Sequence, residues 1–176
     1  LNKMWAPDST VNNWNQVDPA FPDVKLELFG PGTDSGTFDY FTDEINGEEG
    51  ASRTDYEPSE DDNIIVQGVS GDKNALGYFG FTFYEENADK LNAVEIDNGK
   101  GCVAPSSETA RDGSYAPLSR PLFIYVDKKA FVENAALNSF MKFYIENDTA
   151  IAESAQYIPL SDEQKKTAQD ELATLG

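Results

Sequence analysis

The sequence predicts an α/β fold, a sheet flanked by helices with further helices at the C-terminal end. Three observations carry this reading. Val24, Leu26 and Leu28 alternate along one face of a strand over residues 24–29. After a Gly30-Pro-Gly32 break, Phe38, Phe41 and Ile45 fall at helical spacing. The last fifty residues carry an apolar stripe of helical period at Leu137, Phe140, Met141, Tyr144 and Ile145. Strands that alternate with helices imply a sheet covered by helices.

The other elements follow in chain order. Pro7, Asp8, Ser9 and Thr10 precede a short helix with Val11 and Trp14 on one side, closed by Phe21-Pro22. Asn46-Gly47 stops the helix that contains Phe38. Residues 43–62 hold nine acidic residues and one Arg, and read as a solvated loop or helix edge. The β-branched residues of 63–67 suit a strand, but Asp62, Ile65, Val66 and Val69 match a capped helix, which is the preferred reading. Gly77–Tyr84 alternates Phe79, Phe81 and Phe83 and predicts a strand, and Leu91–Ile96 a less regular one. Pro105, Pro117 and Pro121 punctuate an irregular connection. Leu122–Val126 is a continuous apolar run, the pattern of a strand covered on both faces. Ser161 and Gln164 form a capping box for a last helix that turns Ala168, Leu172 and Leu175 inward.

Composition excludes several classes of chemistry. The 176 residues contain 13 Lys+Arg, 32 Asp+Glu and no His, for a formal charge of −19. Without His there is no Ser-His-Asp triad and no His-ligated metal site in this chain. A single cysteine, Cys102, excludes an internal disulfide and a Cys-cluster metal site, and no activating partner for it is legible. The negative charge argues against nucleic acid as a partner, because phosphate backbones need basic patches. A small anion held by local donors remains compatible. No stretch approaches 18 apolar residues, as a membrane-spanning helix requires. The chain opens on Leu1 rather than Met, which leads us to expect a longer or processed polypeptide.

The chemistry concentrates where the first strand enters its helix. Gly30-Pro-Gly-Thr-Asp-Ser-Gly-Thr37 places a turn at the carboxyl end of a strand and a helix start directly after it. The first turn of a helix has N–H groups without intrahelical partners, and its dipole favours negative charge. Gly36 lets an oxygen approach the backbone, and Ser35 and Thr37 add hydroxyls. An oxyanion fits such a cradle. Asp34, Ser35 and Thr37 are equally good helix caps that need no ligand. The Gly-Lys-Ser/Thr ending of a nucleotide P-loop is absent.

Arg53 is the second signal. It is the only basic residue between Lys25 and Lys73. Its planar fork can pair bidentately with an oxyanion, or it can tether the acidic loop by ion pairing. Glu48-Glu49 and Glu60-Asp61-Asp62 could supply oxygens to Ca²⁺, but no alternating Asp-x-Asp-x-Asp-Gly loop is present. No pair of carboxylates stands out as a glycosidase couple.

The stretch Gly30–Phe41 resembles the ligand-binding segment of the substrate-binding proteins of bacterial high-affinity phosphate ABC transporters, the PstS family. The similarity continues through Ser52-Arg-Thr-Asp-Tyr56, Ser59–Asn63, Val66–Asp72, Ala75–Gly80 and Pro117–Val126, and includes Trp5-Ala-Pro7 and Trp14. It implies a type II periplasmic-binding-protein lobe with a central mixed sheet flanked by helices. Residues 1–126 would be the second ligand-binding lobe, and 127–176 a helical part returning toward a first lobe that this chain does not match. The resemblance implies inorganic phosphate as ligand, without catalysis, metal or cofactor. The site would comprise Ser35, Gly36 and Thr37, with Asp34 beside them. Many members carry an Arg four residues before the Ser. Here Pro31 stands there, and Arg53 is the implied substitute. The implied partners are the membrane subunits of the transporter and the first lobe. The implied location is periplasmic or extracytoplasmic, lipoprotein forms included. A phosphate-responsive sensor or surface binding module of the same fold, or an enzyme handling phosphate esters, are the alternatives.

Overall fold

The computed structural model describes residues 1–175. Residues 1–95 form one compact unit and residues from Ile96 onward a second.

In the first unit the elements are α1 (Asn2–Trp5), α2 (Trp14–Val17), β1 (Glu27–Pro31), α3 (Gly36–Asn46), β2 (Glu57–Ser59), α4 (Asp62–Gly71), β3 (Ala75–Gly77) and α5 (Phe81–Glu85). The three strands make a parallel sheet in the order β2-β1-β3. Phe29 is the hinge of the register, opposite Glu57 on one side and Gly77 on the other. Parallel neighbours need crossover connections, and α3 and α4 supply them. The predicted mixed sheet is thus a parallel one. Antiparallel pairing occurs in a separate hairpin of the second unit.

Local signals explain the helices. Ser35 caps α3 by accepting from the Thr37 N–H, and Gly47 closes it in the left-handed region at φ 82°. Asp61 caps α4 by accepting from the Asn63 N–H, so the helical reading of 63–67 holds. Gly68 brings α4 onto the sheet: a Cβ there would lie 2.3 Å from Phe29 Cε1. The core gathers Met4, Trp5, Val11, Leu26, Leu28, Phe38, Phe41, Ile65 and Val66. Trp5 meets Phe41, Tyr56 and Tyr78 edge-on, and Phe41 stacks on Tyr78 with centroids 3.8 Å apart.

All four predicted strands differ, three of them before residue 97. The first begins at Glu27 rather than 24 and extends to Pro31, with Lys25 in an isolated bridge to Asn13. The predicted strand 77–84 ends at Gly77. Gly80 then turns the chain into α5, where Phe81 and Tyr84 become i,i+3 neighbours with centroids 5.9 Å apart. Alternating aromatics in a glycine-flanked run satisfied both periods, and the Tyr78 N–H still donates to the Phe29 carbonyl at 3.3 Å before the chain turns away from β1. Of Leu91–Ile96 only Ile96 is in a strand.

The second unit contains β4 (Ile96–Asp97), β5 (Cys102–Val103), α6 (Ser107–Arg111), α7 (Lys128–Glu133), α8 (Ala135–Glu146), α9 (Asp148–Ser154) and α10 (Asp162–Ala173). β4 and β5 pair as an antiparallel hairpin. Phe131, Met141 and Leu172 form its core, with Val126, Leu137, Ile145 and Leu175 packed against them. Phe140, from the predicted stripe, is exposed. The Ser161–Gln164 capping box is present, and Gln164 Nε2 also donates to the Arg111 carbonyl at 3.2 Å. The buried Asp148 has Lys165 Nζ 2.7 Å from its Oδ1, close enough to neutralise it although not aligned as a hydrogen bond. The predicted strand Leu122–Val126 is not a strand: the segment has no regular structure, and Leu122 to Tyr125 are exposed.

Candidate functional site

The site lies at the carboxyl ends of β1 and β2, where ligands of open α/β sheets sit. The Gly32 N–H donates to the Ser59 carbonyl at 3.1 Å, so the two strand ends leave the sheet side by side. Beyond them opens a cavity of about 410 Å³. Gly32, Thr33 and Phe38 contribute from the β1–α3 turn, Ser52, Arg53 and Thr54 from the loop before β2, and Ser59 and Glu60 from the end of β2.

Arg53 is buried, with 5% of its surface exposed. A guanidinium has five N–H groups. Nε and one Nη2 hydrogen make a parallel pair with the Asp55 carboxylate at 2.6 and 2.8 Å. Nη1 donates to the carbonyls of Met4 and Val11 at 2.9 and 2.7 Å, with Ser9 Oγ at 3.4 Å. One Nη2 hydrogen has no acceptor among the described residues. The side chain therefore ties the 50–60 loop to the N-terminal segment while its charge stands at the cavity wall. The fork expected for an oxyanion is taken by Asp55. That hydrogen bond, with the nearby positive charge, holds the Asp55 carboxyl below its ordinary range.

The turn Asp34–Thr37 sits between β1 and α3. Ser35 Oγ accepts from Thr37 N at 3.2 Å, so the hydroxyl caps α3. The first-turn donors of an 11-residue helix lie beside a cavity that Phe38 helps to line. Of the five site residues named from sequence, Arg53 lines the cavity directly. Asp34, Ser35, Gly36 and Thr37 form the turn next to it.

Several wall residues escaped the sequence reading: Thr33, Ser52, Thr54, Tyr56 and Ser59. Ser52 Oγ is buried and has no hydrogen-bond partner among the described residues. Tyr56 Oη donates to the Pro31 carbonyl at 2.7 Å and fixes the wall to the strand end, and burial raises its phenol above the ordinary value. Ser52, Thr54 and Tyr56 flank Arg53 in sequence. Uncharged hydroxyls around the sole base of an acidic loop were the signal that could have found them.

A model of the PBP superfamily domain matches residues 7–148. The chain belongs to the PBP superfamily. Among curated relatives, Protein SphX of Synechocystis is 52% identical over 165 residues, which is 93% of this chain and 49% of that one. The phosphate-binding protein PstS of Staphylococcus haemolyticus is 41% identical over 166 residues, 94% of this chain and 50% of that one. A crystal structure described as a possible phosphate binding protein from Planctomyces limnophilus superposes with TM-score 0.88 at 44% identity, covering 99% of this chain and 62% of that one. The chain therefore spans about half the length of the curated relatives it matches. The α/β architecture, a sheet flanked by helices, is the one the resemblance implied, with the sheet parallel rather than mixed. No metal-binding group of three or more His, Cys, Asp or Glu occurs among the described residues. Among them, too, no helix is long and apolar enough to cross a membrane.

Proposed function

We propose that the chain is the second ligand-binding lobe, with the returning C-terminal part, of a receptor that binds inorganic phosphate for an ABC transporter. The observation that carries this reading is the cavity at the carboxyl ends of β1 and β2, with its helix-start donors, hydroxyls and buried guanidinium. The names of the relatives support inorganic phosphate as that anion. Phosphate would be held by the N–H groups of the Ser35–Phe38 turn and by the hydroxyls of Ser35 and Thr37. Gly36 admits the oxygen, and Asp34 leads the chain into the turn. Arg53 contributes charge and its remaining Nη2 hydrogen while Asp55 fixes its plane. Residues 1–126 would belong to the lobe and 127–176 to the returning part. The receptor would work outside the cytoplasmic membrane, pass phosphate to the transporter's membrane subunits, and perform no chemistry on it.

Affinity needs both halves of a cleft. Micromolar binding corresponds to about 8 kcal/mol, and a hydrogen bond to a charged group contributes about 1.5–3 kcal/mol. Several such bonds, shielded from water, are required. The exposed apolar run Leu122–Tyr125 supports an incomplete receptor, because such a run is ordinarily covered. Calorimetry of the full-length polypeptide that contains this chain tests the reading. One phosphate should bind with micromolar or tighter affinity, and a chromogenic phosphate ester should stay intact. Absence of binding, or steady ester hydrolysis, would overturn it.

A further inference from the structure

Glu60 occupies the edge of the proposed anion cradle. Its Oε1 accepts from the Asp34 N–H at 3.3 Å, and the side chain lines the same cavity as Arg53 and Ser52. A Cβ placed on Gly32 would fall 1.9 Å from that Oε1, so the glycine is what admits the carboxylate. Ser59 fixes the backbone on both sides of it: its carbonyl accepts from Gly32 N at 3.1 Å, and its Oγ accepts from Asp61 N at 3.0 Å. The cavity also holds the buried Ser52 Oγ, a hydroxyl with no hydrogen-bond partner among the described residues.

We infer that Glu60 is an internal competitor for the anion, a carboxylate that occupies the entrance of the cradle and must swing away when phosphate enters. This inference rests on the phosphate reading above. A carboxylate offers the cradle what a phosphate oxygen offers, an acceptor with negative charge. The two cannot share the site, because like charges at contact repel strongly away from bulk water. Glu60 is exposed on its outer side and can rotate into solvent without unfolding anything. Its effect is to weaken binding and to ease release, since every bound anion competes with a tethered one.

The test compares the full-length wild type with Glu60→Ala, Glu60→Gln and a control, Glu49→Gln, which removes an exposed carboxylate outside the cavity lining. Calorimetry with inorganic phosphate at physiological salt should show Glu60→Ala binding at least about fivefold tighter than wild type. Glu60→Gln should fall between them, and Glu49→Gln should match wild type. Without phosphate, the Asp34 amide should exchange with solvent faster in Glu60→Ala than in wild type. Equal or weaker phosphate affinity in Glu60→Ala, an equal gain in Glu49→Gln, or an unchanged Asp34 amide would each overturn the competitor role. If neither wild type nor variant binds phosphate, the phosphate reading fails and the competitor role fails with it. The Asp34 amide then still reports whether the contact exists.

Discussion

Two apolar runs of similar length meet opposite fates. Leu28 lies in β1 and Leu26 just before it, and they are 5% and 4% exposed, whereas Phe123 and Tyr125 are 71% and 91% exposed. By residue type the second run is the more strand-like, rich in β-branched and aromatic side chains. The difference is the supply of partners. β1 has a parallel neighbour on each edge and α4 laid across it through Gly68, while Leu122–Tyr125 has no ladder partner among the described residues. Hydrophobic pattern states a demand for cover. Only the rest of the fold can meet it.

The contrast can be broken most sharply by truncation. Leu28→Ala should cost about 2–5 kcal/mol, the range for a buried Leu cut to Ala. Phe123→Ala in this chain alone should change denaturation by less than about 0.5 kcal/mol, the usual range at exposed positions. Urea midpoints of the two variants give both values, and a large loss in Phe123→Ala would show that the run is covered after all.

At the site the corresponding buried group is Arg53. Arg53→Ala leaves the Met4 and Val11 carbonyls without their donor and Asp55 without its cation. Because Asp55 is largely exposed, a cost of about 1–3 kcal/mol is expected, below that of a fully buried pair. In the full-length polypeptide the same change should weaken phosphate binding at least tenfold, which is about 1.4 kcal/mol, whereas Arg111→Ala should not. Unchanged phosphate affinity by calorimetry would leave Arg53 as a tether only.

A smaller effect concerns acid. The Asp55 carboxyl is lowered in the folded chain. Its contribution to stability is therefore present above the unfolded-state value near 3.9 and is lost as pH falls through the folded value. Asp55→Asn should make stability less dependent on pH in that acid window. Thermal melts between pH 5 and 2 check this, and parallel curves for variant and wild type would contradict it.

The legible parts were those with local causes. Ser35 and Gly47 bracket α3, Asp61 opens α4, and Ser161 with Gln164 opens α10, each through bonds within a few residues. β2 was not legible: three residues with Pro58 among them, set in an acidic loop, become a strand only because β1 is beside them. Tyr78–Tyr84 misled because aromatic alternation does not reveal where the ladder ends. At the site, the turn 34–37 was visible as a pattern and Arg53 as the only base in its region. What Arg53 holds was not visible, because the Met4 and Val11 carbonyls lie more than forty residues away in sequence. Ser52 and Glu60 reach the same cavity through pairings between strands that periodicity cannot read.

The smallest perturbation and the most direct test is the ligand itself. Amide resonances of the isotope-labelled full-length polypeptide can be followed as inorganic phosphate is added. Ser35, Gly36, Thr37 and Phe38 should shift and saturate at one equivalent, together with Ser52 and the Arg53 side chain. Met141 and Leu172, in the core of the second unit, should stay in place. Saturable binding that leaves the 35–38 amides unmoved would place the anion elsewhere and contradict binding at this turn.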